Sequence, residues 1–169
     1  MATEISDFIC VRYHVKKFGI AAPEGFAVLP SNFTIAQSRS DFLIPSEGAT
    51  VRALFRNEGL PLSEEFFEGA RYIQNNSYEW LAPTIFVSAG LLSENPSAVS
   101  LALGVLTNFI SDLFKGISGK KSVKLSIVIE DSADYACKKI DYEGDLEGLE
   151  ALAPLIKKVA DGRQRNGPN

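Results

Sequence analysis

From Ile5 to Val15 the chain alternates. Ile9, Val11, Tyr13 and Val15 fall on one side, and Phe8, Cys10, Arg12 and His14 on the other. A period of two predicts a strand. Ala22-Pro23-Glu24-Gly25 marks a turn, and short β-like runs follow at Phe26–Leu29, Phe33–Ala36 and Phe42–Ile44, divided by turn-prone residues. Ser46 is placed to cap a helix to about Glu58, with Val51, Leu54 and Phe55 inward and Gly59 as its stop. Ser63 opens a second predicted helix. Glu64 and Glu65 suit its N-terminal end, and Phe66, Phe67, Ala70 and Ile73 form its apolar stripe before Asn75-Asn76-Ser77. Thr84–Val87 reads as a brief strand.

The C-terminal half is more sharply patterned. Asn95 and Pro96 open a helix in which Val99, Ala102, Leu103, Leu106, Phe109, Ile110, Leu113 and Phe114 recur at helical spacing. Leu101 and Val105 widen the stripe, which predicts a helix buried on most sides. Gly116 to Lys121 is a basic connector. Val123, Leu125, Ile127 and Ile129 then alternate with polar residues, Asp131–Asp134 turns, and Tyr135–Tyr142 returns, predicting a β-hairpin. Asp145 caps a final helix that Pro154 must kink or split. The fold class expected is α+β: a mixed or mainly antiparallel sheet with a long buried helix, followed by a β-hairpin and a C-terminal helix. Residues 1–161 read as one domain, with a subdivision near Leu92–Asn95, and 162–169 as a flexible tail.

Length and composition agree with one ordinary domain. The chain has 169 residues, 46% of them hydrophobic and 22% charged. A net charge of −4 argues against nucleic acid as a partner, since non-specific binding rests on phosphate neutralisation by Lys and Arg. Cys10 and Cys137 are too few and too far apart in sequence for a disulfide framework or a zinc signature. With no export signal in Met1-Ala2-Thr3-Glu4, they suggest a reduced, cytoplasmic setting. Ser97–Lys115 is the one candidate membrane span. It carries Ser100, Thr107, Asn108, Ser111 and Asp112, so a core helix is the expected reading.

Candidate chemistry is sparse. Cys10 and His14 suggest a nucleophile and base, but on a strand four residues span about 13 Å. A single histidine disfavours a zinc or iron site. Asp141, Glu143, Asp145 and Glu147 lack EF-hand spacing and read as a solvated turn and a helix cap. Gly116–Ser122 has neither the spacing nor the following helix of a phosphate loop, and Ser88 has no G-x-S-x-G surround. No catalytic residue, cofactor or metal is expected. Tyr78, Glu79 and Trp80 form an aromatic group near loops, and Lys120, Lys121, Lys138 and Lys139 place positive charge around the hairpin.

From Pro96 to Ala160 the order is apolar helix, basic connector, hairpin and leucine-rich helix. It is carried by Ser100-Leu101-Ala102-Leu103-Gly104-Val105-Leu106, Val123-Lys124-Leu125-Ser126-Ile127-Val128 and Asp145-Leu146-Glu147-Gly148-Leu149. This order resembles small effector-associated constant components of bacterial conflict systems. The resemblance implies a non-enzymatic adaptor or interaction subunit beside an effector, with a protein partner. A partner strand added at the hairpin edge would meet Tyr135, Lys138, Lys139 and Tyr142, with Trp80 as a further contact. Two alternatives remain: a small-molecule sensor or binding module, and a hydrolase or transferase using carboxylates with Ser or Cys.

Overall fold

The computed structural model describes residues 2–74, 80–116 and 122–165. The protein is α+β, built on a mixed five-stranded sheet. Its strands are β1 (Ala2–Phe8), β2 (Phe26–Leu29), β5 (Trp80–Val87), β6 (Val123–Glu130) and β7 (Cys137–Gly144), in the order β1-β7-β6-β5-β2. Only β5 and β6 run parallel; every other neighbouring pair is antiparallel. β3 (Leu43–Pro45) and β4 (Arg71–Ile73) form a separate parallel pair.

The helices are α1 (Val11–His14), α2 (Ser46–Asn57), α3 (Ala89–Glu94), α4 (Ser97–Phe114), α5 (Glu147–Glu150) and α6 (Leu152–Arg165). Strand register places Phe26, Val28, Ile85, Ile127 and Ile140 on one sheet face and Ala27, Phe86, Val128 and Cys137 on the other. On the first face, α2 packs directly against β2. The Phe26 and Phe55 rings meet edge-on at 5.1 Å. Gly48 also sits too close for a side chain, since a Cβ there would stand 2.6 Å from the Ile44 Cγ2 and 3.2 Å from the Val28 Cγ1. Helix α4 lies against α2, α5 and α6. One contiguous apolar core joins residues on both sides of Leu92–Asn95.

The second face is covered by the stretch after β1, and here the structure differs from the sequence reading. The strand expected to reach Val15 ends at Phe8, and the chain turns through α1 and a 3-10 turn at Val15–Phe18. The alternation of Ile9, Val11, Tyr13 and Val15 coincides with a second pattern, Val11, Val15 and Phe18, all buried. That is i, i+4, i+7 spacing, and it prevails because it lays these side chains under the sheet. The stretch expected to be a helix from Ser63 is instead a series of turns, followed by β4. Phe66 and Phe67 are still buried, but Gly69 at φ +76° takes a left-handed conformation that stops helical winding.

The run Phe33–Ala36, expected as a short strand, is instead a turn between β2 and β3. The elements of the C-terminal half follow expectation more closely. α4 starts after Pro96 and the hairpin pairs from Val123↔Gly144 to Glu130↔Cys137. The final helix splits into α5 and α6, with the Asp145 carboxylate accepting the Gly148 N–H at 2.9 Å. Two differences are local. α4 buries one stripe and leaves Leu101 and Leu113 exposed, so it is not surrounded on most sides. By length and composition alone it is long and apolar enough to cross a membrane. α6 continues to Arg165, four residues into the expected tail, while 166–169 lie outside the described residues.

Candidate functional site

The β6–β7 hairpin tip and the start of α1 meet at one end of the sheet. Glu130, the last residue of β6, is buried to 1% exposure. A buried carboxylate is costly unless it is paired and hydrogen-bonded. Here it accepts two bonds from Arg12, Nε at 3.2 Å and a terminal nitrogen at 3.1 Å, and a third from the Ala89 N–H at 3.1 Å. The bond to Glu130 raises the Arg12 pKa above its ordinary value, against the opposing effect of burial. The guanidinium also lies 4.3 Å from the centre of the Tyr135 ring, a cation–π contact. Tyr135 closes the hairpin turn at φ +59°, a left-handed conformation uncommon for a residue with a side chain. One ion pair therefore ties α1, the hairpin and the start of α3 together.

Beside it, Ser88 caps α3. Its hydroxyl oxygen accepts the Gly25 N–H at 2.9 Å and the Leu91 N–H at 3.2 Å. A cleft of about 280 Å³ opens here, lined among others by Arg12, Glu24, Ser88 and Glu94. Its place beyond the carboxyl ends of the parallel strands β5 and β6 is where open α/β sheets often take ligands. Ser88 and Glu130 are already engaged with backbone donors and with Arg12, so neither stands as a free nucleophile or base. The turn into α1 brings Cys10 and His14 within one helical turn, with the His14 N–H bonded to the Cys10 carbonyl at 2.9 Å. Their side chains nevertheless go to different partners. The Cys10 thiol donates to the Tyr135 carbonyl at 3.3 Å. His14 Nε2 lies 3.0 Å from the Phe33 carbonyl, with its ring between Phe18 and Phe33. Among the described residues no group of three or more His, Cys, Asp or Glu is placed to hold a metal ion.

The five residues expected at a partner surface do not form one surface. Tyr135 is exposed at the hairpin tip. Lys138 and Lys139 point to opposite faces of β7: Lys138 pairs with Asp7, and Lys139 lies 3.5 Å from Asp141. Tyr142 is not a surface residue. It is 2% exposed and its hydroxyl donates to the Asp145 carbonyl at 2.6 Å. Burial, then the nearby Asp145, pushes its phenol pKa up. Trp80 opens β5 at the far end of the sheet. It is separated from Tyr135 by the eight-residue length of β6, roughly 25 Å; its side chain lies outside the described residues, as do Tyr78, Glu79, Lys120 and Lys121.

The hairpin edge expected to be open is occupied by the chain's own β1, in register from Ala2↔Glu143 to Phe8↔Cys137. The open edge is therefore the outer side of β1. Among the described residues β1 pairs only with β7, and Thr3, Glu4, Ile5, Ser6 and Asp7 are all exposed. Below it the sheet carries a polar strip in which Ser126 bonds Asp141 and Lys124 lies 3.9 Å from Glu143. Sequence reasoning missed this edge because β1 was read as the start of a longer strand. It missed Glu130 because a charged residue ending an alternating strand reads as solvent-facing. Comparison of the chain with protein-family models, curated proteins and solved structures finds no match in any of the three.

Proposed function

We propose that this protein is a non-catalytic interaction subunit that accepts an extended segment of a protein partner along the outer edge of β1. The observation that carries this reading is a seven-residue strand paired on one side and exposed from Thr3 to Asp7. Main-chain groups on such an edge supply affinity, and the alternating side chains supply specificity. Glu4, Ile5 and Asp7 favour a partner strand with an apolar residue facing Ile5 and basic residues near the acids. The engagement of Cys10, His14, Ser88 and Glu130 in internal bonds also favours a role without catalysis. The likeness of Pro96–Ala160 to conflict-system components suggests an adaptor beside an effector in a bacterial defence system. The small-molecule reading would use the cleft beside Arg12 and Ser88, two side chains already engaged within the chain.

Proline substitution tests the edge with a built-in control. Successive residues of β1 direct their N–H groups alternately toward β7 and outward. Of Glu4→Pro and Ile5→Pro, one therefore removes a bond to β7 and lowers stability; the other removes only an outward donor. A photo-crosslinking residue at Ser6, introduced in the source cells, identifies the partner. The outward proline should weaken binding of that partner at least ~10-fold with little change in melting temperature. Crosslinks to no protein, or binding indifferent to both prolines, would overturn the proposal.

A further inference from the structure

The two cysteines, 127 positions apart in sequence, converge on one atom. The Cys10 thiol lies 3.3 Å and the Cys137 thiol 3.7 Å from the same oxygen, the Tyr135 carbonyl. The convergence follows from the fold. Phe8 stands opposite Cys137 in the β1–β7 register, and the chain turns at Cys10, the residue preceding α1, so that it folds back over the start of β7. The Val11 N–H is directed at the Cys137 sulfur, and the Arg12 charge acts on that thiol as well. Both cysteines are free in this structure, Cys10 part-exposed and Cys137 buried.

We propose that Cys10 and Cys137 form a reversible intramolecular disulfide when the protein meets a small disulfide oxidant such as glutathione disulfide. The Cys10 thiolate attacks one sulfur of glutathione disulfide. A glutathione thiolate leaves, and Cys10 carries a mixed disulfide. The Cys137 thiolate then attacks the Cys10 sulfur and expels the second glutathione. Two protein thiols are oxidised, one glutathione disulfide is reduced to two thiols, and the two protons go to solvent or to the departing thiolates. The order follows exposure: Cys10 is the thiol an oxidant reaches first. Burial pushes the Cys137 thiol up to about 12, which makes the second step slow and shields that sulfur from direct oxidation. Closing the bond to ~2.05 Å needs rotation of the part-exposed Cys10 side chain. The bond would fasten the end of β1 to the hairpin. This site is independent of what binds β1.

The test uses the reduced full chain exposed to glutathione disulfide. Intact mass should fall by two hydrogens with no glutathione retained, and peptide mapping should link the Cys10 and Cys137 peptides. The melting temperature should rise by about 5–15 °C, because the bond closes a long loop in the unfolded chain, and dithiothreitol should reverse the rise. Cys10→Ser should block the reaction, and Cys137→Ala should stop it at the mixed disulfide. Mapping of the native chain decides the matter even if Cys137→Ala folds poorly. A stable glutathione adduct on Cys10 of the native chain, a disulfide between two chains, or no reaction would each overturn the proposal.

Discussion

At one edge of the sheet, β2 is four residues long and every residue is buried. The segment after Leu60 closes its outer side. The Phe26 N–H donates to the Pro61 carbonyl and the Ser63 N–H to the Phe26 carbonyl, both at 2.8 Å. Gly25, at φ +78°, lets the two segments approach: a Cβ there would meet the Pro61 oxygen at 2.7 Å. At the other edge, β1 is seven residues long and exposed, without proline and without a covering segment among the described residues. Proteins usually blunt a free edge by shortening, covering or charging it. This chain does the first two at β2, while at β1 it relies on Glu4 and Asp7 alone. The contrast teaches that closing a sheet edge is within this fold's means, so the exposed length of β1 points to use rather than to a lack of material to cover it.

The largest effect should come from breaking the closed edge. Phe26→Ala removes a 2%-exposed ring packed on Phe55 and should cost about 3–5 kcal/mol in urea unfolding. The next should come from the fastening behind β1. Arg12→Ala removes the two hydrogen bonds that Arg12 gives the buried Glu130 carboxylate and leaves the one from the Ala89 N–H, a loss of about 2–3 kcal/mol. A smaller, pH-dependent effect should come from Cys137 opposite Phe8. Burial raises its thiol pKa from 9.0 to about 12, so its contribution is fully present below the unfolded value and is lost as pH rises toward the folded one. Between pH ~8 and ~10 the native chain should lose about 1–2 kcal/mol more than Cys137→Ala, as read by unfolding at each pH. The smallest effect should be at the open edge. Ile5 is 47% exposed, and Ile5→Lys should change stability by no more than ~0.5 kcal/mol; a loss as large as that of Phe26→Ala would show that β1 is covered.

The C-terminal half was legible because each element carries one unambiguous period. β6 alternates from Val123 to Ile127, and α4 repeats at helical spacing between Pro96 and Gly116. The N-terminal half was less so because its patterns are double. Val11 and Val15 serve a strand period and a helix period alike, and packing beneath the sheet selects the second. Phe66 and Phe67 are apolar in either a helix or a turn, and only the backbone at Gly69 decides between them. At the site, the exposure of Tyr135 was legible from the hairpin. The burial of Tyr142 was not, because its hydroxyl finds an acceptor only once the Asp145 turn is formed. The ion pair between Arg12 and Glu130, and the meeting of Cys10 with Cys137 at one carbonyl, depend on β1 pairing with β7, a long-range contact that no local pattern encodes.

The central claim is that β1 is open on its outer side, and residue-resolved amide hydrogen exchange on the full chain tests it most directly. Every second amide from Thr3 to Phe8 should exchange rapidly, those between should be protected by β7, and the amides of β2 should be protected throughout. Uniform protection from Thr3 to Phe8 in the isolated protein would contradict the account.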